Sequence, residues 1–123
     1  MRDECKTINT TLTNNKLKIP ESLKPTYQNT LYLLKLNDEL RLYNEEEYDN
    51  LKKFIINYLK EKYDLVSYKK LERYFFSKMS SFENVTSKST IHISRELQDY
   101  YNLKKITELL IYRNHIKILK KEN

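Results

Sequence analysis

The 123-residue chain contains no glycine. Glycine adopts positive φ without a steric penalty and lets the backbone approach a phosphate group closely. A chain without it has no glycine-rich phosphate loop, no dinucleotide-binding fingerprint and no nucleophile elbow of the hydrolase type. Several large classes of enzyme are therefore excluded. Where helices must break, we expect asparagine, which tolerates the left-handed conformation, at Asn102 and Asn114.

The length predicts one domain, and the charge predicts an anionic partner. Lysine and arginine number 23 against 17 aspartate and glutamate, which gives a formal net charge of +6, and there are 11 tyrosines. An excess of this kind favours nucleic acid, an anionic membrane surface or an acidic protein. A surface that is merely coated with lysine for solubility remains the alternative.

The first 25 residues are polar and contain both prolines, so we predict an N-terminal arm over residues 1–25 and a single helical domain over residues 26–123. Cys5 is the only cysteine and is expected to be an exposed thiol, which fits an intracellular protein, cytoplasmic or in a host nucleus, that is not secreted. The abundance of asparagine, lysine, isoleucine and tyrosine is typical of A/T-rich coding and suggests a virus, phage or other mobile element.

Helical spacing of apolar residues predicts three helices before a polar loop. The first spans Thr26 to about Tyr43, where leucines recur every three or four residues. Asn44 should cap the second, which has three glutamates in its first turn and ends near Tyr63. Ser67 should cap the third, up to Met79, before a loop from residue 80 to residue 90.

The C-terminal part predicts a short strand at residues 91–93 and a short helix capped by Ser94. After Asn102, a helix over residues 103–113 and a terminal strand over residues 115–119 follow. The expected fold class is therefore mainly α: a compact domain of four to five helices, with a short C-terminal β-hairpin as an option. A weak sequence echo between residues 48–53 and 100–105 is attributed to chance, with a duplicated unit as the alternative.

The order of these elements resembles the end of a winged helix-turn-helix domain over residues 67–119. The resemblance implies that the helix after Asn102 enters the major groove of DNA. The outward-facing residues that would contact DNA are Lys104, Lys105, Tyr112, Arg113 and Lys117. Two ordinary core helices joined by a tight turn remain the alternative.

Residues that could carry catalysis are few and scattered. Cys5 lies far along the chain from His92 and His115, and an arm without glycine or apolar neighbours is a poor place to hold a thiolate. Glu45, Glu46 and Glu47 are explained by the helix dipole. We therefore expect no enzyme activity, no cofactor and no metal site.

The sequence thus predicts a small, basic, non-enzymatic nucleic-acid-binding regulator, with double-stranded DNA as the expected partner. The alternative is a helical protein-interaction module, such as an inhibitor, adaptor or assembly subunit, that docks an acidic protein on Tyr100, Tyr101 and Tyr112. No membrane partner is expected, and association as a homodimer is left open.

Overall fold

Eight antiparallel strands form one curled sheet, a half-barrel, with two long helices packed on its outside. The computed structural model describes residues 6–85 and 89–121, and the side chains of these residues apart from 78–84. The expected mainly α fold of four to five helices is therefore wrong. The order across the sheet is β5-β3-β4-β8-β7-β1-β2-β6.

The elements follow one another closely along the chain. They are β1 (Lys6–Thr13), β2 (Lys16–Lys18), a 3-10 turn (Glu21–Leu23), β3 (Thr30–Lys35), β4 (Leu40–Asn44), α1 (Glu45–Lys62), α2 (Leu65–Met79), β5 (Ser80–Asn84), β6 (Thr90–His92), α3 (Arg95–Tyr100), β7 (Ile106–Ile111) and β8 (Ile116–Lys120).

The predicted first helix, Thr26 to Tyr43, is instead the β-hairpin of β3 and β4. Leu31 and Leu33 point into the curl of the sheet and are fully buried, whereas Leu34 faces the helices on the other side. A strand that is buried on both faces has a nearly continuous apolar sequence and no clear alternation. Such a run matches the spacing of a helix as well as that of a strand.

Asparagine occupies the turns that glycine would otherwise make. Asn14 and Asn15 both have positive φ, 53° and 63°, as the two-residue turn between β1 and β2 requires. Asn29, Ser89 and Asn102 are the other described residues with positive φ. The predicted break at Asn102 is confirmed, with φ of 55°.

The main hydrophobic core lies inside the curl of the sheet. Its fully buried members are leucines and isoleucines that alternate along the strands: Leu17, Ile19, Leu31, Leu33, Leu40, Leu42, Ile91, Ile93, Leu109, Ile116 and Ile118. Thr107 is a buried polar residue, and its Oγ1 donates a hydrogen bond to the carbonyl of Lys104 at 3.1 Å. The buried residues of β7, Thr107 and Leu109, are therefore two positions apart, which is the spacing of a strand and not of a helix.

The two long helices form a hairpin that packs on the outer face of the sheet at one end. Asn44 caps α1 as predicted, because its side-chain oxygen accepts a hydrogen bond from the amide of Glu47 at 2.8 Å. The helix ends at Lys62, with Tyr63 as the C-terminal cap. Asp64, three residues before the predicted Ser67, provides the capping oxygen for α2 at 2.8 Å.

The sheet pairings divide the strands into two halves whose order and register follow an approximate two-fold pattern. On β2 and β6, the pair Lys16–His92 and the pair Lys18–Thr90 flank the central pair Leu17–Ile91. In each half a short strand leads into a helical turn and then a two-stranded hairpin: β2, the 3-10 turn and β3–β4, or β6, α3 and β7–β8.

The strands at the opposite side of the sheet follow the same symmetry. Leu40 pairs with Ile118 and Leu42 with Ile116, around a central pair of Arg41 and Lys117. β1 of the first half pairs with β7, and β5 of the second half pairs with β3. The repeat therefore relates whole strands, whereas the sequence echo of residues 48–53 and 100–105 joins part of α1 to the end of α3 and is not part of it.

The helix-turn-helix interpretation is wrong. The helix capped by Ser94 and the strands near residues 91–93 and 115–119 are present as α3, β6 and β8. The segment 103–113, which should have been the recognition helix, forms β7. The predicted loop over residues 80–90 begins with β5, which pairs with β3.

The described part of the predicted N-terminal arm, from residue 6 to residue 25, forms β1, β2 and the 3-10 turn, and its two strands belong to the sheet. Cys5 lies outside the described residues, so the exposure of its thiol stays a prediction. Within the described ranges, no helix has the length and apolar character that crossing a membrane requires.

Candidate functional site

A polar groove of about 610 Å³ lies between α3 and the turn that joins β1 to β2. We call it the α3 groove; its basic side chains are Arg95, Lys104 and Lys105. Asn14 and Asn15 line it from the turn, opposite Gln98 on α3. Two of the five residues predicted to bind nucleic acid thus lie in one concave site.

Hydrogen bonds hold the walls of the α3 groove together. The side-chain amide of Gln98 donates to Oδ1 of Asn15 and to the carbonyl of Ile93, both at 2.8 Å. The amide of Ile93 in turn donates to the carbonyl of Asn15 at 2.8 Å. The turn is thereby fixed against α3, so the groove exists before any ligand arrives.

The two lysines extend from a backbone that is itself held in place. The carbonyl of Lys105 accepts a hydrogen bond from the amide of Leu12 at 2.7 Å, and the carbonyl of Lys104 accepts one from Thr107. Both side chains are exposed. Among the described residues, neither lysine has a carboxylate within ion-pair distance. Their charge is therefore available to an external anion.

One carboxylate opposes the three cations of the α3 groove. Asp99 lies 4.0 Å from Arg95, and both side chains are more than three-quarters exposed. A pair that is this long and this exposed contributes little energy. The groove consequently has an excess of two positive charges and a polar floor.

The other predicted nucleic-acid contacts lie at the opposite end of β7. Tyr112 and Arg113 follow the last residue of the strand, whereas Lys104 and Lys105 precede its first. Lys105 and Tyr112 are thus about 23 Å apart along the strand, at about 3.3 Å per residue. Arg113 is exposed in the turn. The structure therefore does not bring the five residues into one site.

Lys117 is engaged in contacts within the protein. Its ammonium group lies 3.0 Å from a carboxylate oxygen of Glu39 and 5.5 Å from the ring centroid of Tyr112. The hydrogen bond to Glu39 holds the pKa of Lys117 above its ordinary value. Tyr112 also stacks on His115, with ring centroids 4.9 Å apart. Both residues belong to a packed cluster and not to an open basic surface.

Two of the tyrosines of the protein-interaction alternative fasten α3 to the turn between β3 and β4. The hydroxyl of Tyr100 donates to the carbonyl of Asn37 at 3.0 Å, and that of Tyr101 donates to the carbonyl of Leu36. Burial, with Tyr100 nearby, raises the pKa of Tyr101 to about 12. Tyr112, the third, lies at the far end of β7. The three do not form one face.

The sequence indicated Lys104 and Lys105 but missed the residues that complete the groove. Asn15 is distant in sequence from Arg95 and Gln98, and the pairing of β2 with β6 brings the turn to α3. The pairing of β1 with β7 brings Lys104 and Lys105 to the same place. The Asn14-Asn15 pair between alternating residues was the available signal for a hairpin turn. No arginine or glutamine pattern in the sequence indicated the groove itself.

The histidines and carboxylates offer no metal centre in the described part of the chain. There, no three histidine, cysteine, aspartate or glutamate side chains lie close enough to hold an ion. His92 is exposed on β6, and His115 stacks between Tyr43 and Tyr112.

No protein-family model and no curated protein matches this chain, so the suggestion of a virus, phage or mobile element has no support.

Proposed function

We propose that the protein binds nucleic acid through the α3 groove, with Lys104, Lys105 and Arg95 contacting backbone phosphates. The observation that carries the proposal is the pair of lysines, which extend from a fixed backbone into a polar groove without carboxylate partners among the described residues. Lysine and arginine contacts to phosphates release condensed counterions and supply most of the sequence-independent affinity. The net charge of +6 adds long-range attraction.

The polar floor of the groove suits a sugar-phosphate backbone. The side chains of Asn14, Asn15 and Gln98 offer amide groups, which commonly bond phosphate and sugar oxygens. Such contacts position a protein on the nucleic acid and carry no sequence information. The proposal is therefore binding through the backbone, and the helix-turn-helix mode of reading bases is not part of it.

The experiment is a salt titration of binding to a labelled DNA duplex, followed by fluorescence anisotropy. We expect tight binding at low salt and a linear fall of log affinity with log salt. The variant K104Q/K105Q should bind more weakly and reduce the slope by about 2, because each phosphate contact contributes about 0.9. Single-stranded DNA and an RNA duplex, titrated in parallel, identify the preferred form.

The matched control is K60Q/K62Q, which removes two exposed lysines from α1, away from the groove. This control should keep at least most of the wild-type slope. Absence of duplex binding at low salt, or an equal loss of slope in the two variants, would overturn the proposal. Circular dichroism of both variants shows whether the fold is intact.

The tyrosine-based alternative has less support. The hydroxyls of Tyr100 and Tyr101 are already bonded within the protein, and Tyr112 is packed against His115. It stays a prediction, and binding of an acidic protein that survives moderate salt and depends on Tyr100 would favour it.

A further inference from the structure

A second concentration of positive charge lies between the two long helices, near their sheet-packed end. A cavity of about 440 Å³ there is lined by Tyr48 and Lys52 of α1 and by Lys69, Glu72, Arg73 and Phe76 of α2. We call it the interhelical cavity. None of these residues lines the α3 groove.

Three cations converge on this cavity from two helices. Lys69 and Arg73 are four residues apart on α2, which places them on the same helix face, and Lys52 meets them from α1. Among the described residues, none of the three forms an ion pair. Glu72 is the one acidic residue of the lining, so the cavity has an excess of two positive charges.

Aromatic rings hold one of these cations in position. The ammonium group of Lys52 lies 5.9 Å from the ring centroids of both Tyr48 and Phe76. Tyr48 is buried and stacks on Tyr32 with ring centroids 3.9 Å apart, so the floor beneath Lys52 is rigid. A cation within about 6 Å of an aromatic face is attracted to it. Lys52 is thereby kept above the cavity instead of extending freely into solvent.

We propose that the interhelical cavity binds a di- or triphosphate chain, either free or attached to a nucleoside. Three cations and one carboxylate face this cavity, so the cations repel one another, and a compact polyanion removes that repulsion. Arginine offers a planar pair of donors to phosphate oxygens, and lysine supplies a mobile point charge. The volume lies within the range of ordinary small-ligand pockets.

The direct test is isothermal titration calorimetry of the full chain with inorganic triphosphate, pyrophosphate, ATP and adenosine. We expect triphosphate and ATP to bind and adenosine not to bind. Equal affinities of triphosphate and ATP assign the site to the phosphate chain, and tighter binding of ATP assigns it to a nucleotide. No binding of any phosphate compound would overturn the proposal.

The chain offers a control that is matched residue by residue. K52Q/K69Q removes two lysines of the cavity, whereas K53Q/K70Q removes their immediate neighbours, which do not line it. The first variant should weaken triphosphate binding at least about tenfold and the second less than about twofold, because charge-assisted contacts require direct reach. Equal losses in the two variants would contradict the assignment.

A third variant predicts a gain, which a folding defect cannot mimic. E72Q removes the carboxylate of the cavity and should tighten triphosphate binding severalfold. Weaker binding by E72Q would overturn the proposal. The loss of triphosphate affinity caused by K52Q/K69Q should be equally large in a K104Q/K105Q background, so that failure of this site and failure of the α3 groove are separate outcomes.

Discussion

Arg41 lies directly opposite Lys117 on the neighbouring strands β4 and β8, at the centre of the approximate two-fold relation. Like charges in directly opposed strand positions repel each other. Glu39 resolves the conflict: one of its carboxylate oxygens lies 2.8 Å from a terminal guanidinium nitrogen of Arg41, and the other lies 3.0 Å from the ammonium group of Lys117. All three side chains are less than one-third exposed.

Removing this bridging carboxylate should destabilise the protein. We expect Glu39→Gln to lower the free energy of unfolding by roughly 1.5–3 kcal/mol, because two partly buried cations lose their shared anion. Urea denaturation measures the change. The control is Glu108→Gln, whose carboxylate has one ion-pair partner among the described residues, Lys121 at a longer distance of 3.8 Å. A cost of under about 1 kcal/mol is expected there, and equal costs for the two variants would contradict the argument.

The same carboxylate predicts a pH dependence of stability. Burial raises the pKa of Glu39, but hydrogen bonds from Arg41 and Lys117 outweigh it and hold the pKa below the ordinary value of 4.5. A group whose pKa is depressed by folding stabilises the protein above the unfolded-state pKa, and that contribution is lost as the pH falls through the folded-state pKa. Below about pH 4.5 the wild type should therefore lose stability more steeply than Glu39→Gln. Urea midpoints measured as a function of pH test this, and parallel curves would refute it.

The left-handed conformation of Asn102 predicts effects that depend on the side chain. This residue has φ of 55°, a left-handed conformation that disfavours residues with a Cβ atom, apart from asparagine and aspartate. Asn102→Ala should cost about 1–2 kcal/mol, and Asn102→Gly should be neutral or stabilising. Thermal unfolding distinguishes the two. Asn50→Ala, at an exposed position inside α1, should have the opposite sign because alanine is the better helix former.

The cap of α1 has a second bond that ties the helix to the loop before β3. The side-chain nitrogen of Asn44 donates to the carbonyl of Thr26 at 3.2 Å while its oxygen caps the helix. Asn44→Ala should cost about 1–2 kcal/mol. Asn44→Asp should cost less, because it keeps the capping oxygen and loses the bond to Thr26. Asn57→Ala, in the middle of the same helix, is the control. Equal midpoints for Asn44→Ala and Asn57→Ala would exclude a capping role.

Elements that are specified by local interactions could be predicted from the sequence. The side-chain oxygen of Asn44 and the glutamates after it define the start of α1, and the hydroxyl of Ser94 defines the start of α3. Both starts are predictable because a capping bond spans only three residues. The alternation of Ile116 and Ile118 likewise predicted β8. These signals do not depend on which segments become neighbours.

Elements that are specified by long-range pairing could not be predicted from the sequence. β3 is buried on both faces because α1 and α2 cover its outer side. In β7 an inward position is Thr107 and an outward position is the exposed Ile106, so neither sequence has a clean two-residue hydrophobic period. Ile106, Leu109 and Leu110 match helical spacing, while the burial of Thr107 and Leu109 decides for a strand. The α3 groove likewise depends on pairing between strands that are distant in sequence. For this reason Lys104 and Lys105 were the groove residues that could be predicted from the sequence.

The exchange of partners between the two halves has a consequence for a cleaved chain. β1 finds its long neighbour in β7, and β5 finds its neighbour in β3, so neither half holds a complete set of strand partners by itself. Proteolysis at the exposed Tyr63–Leu65 connection should leave the two pieces associated as a folded, non-covalent complex. Each peptide made separately should remain unstructured until it is mixed with the other, so that function would be recovered only by recombining them.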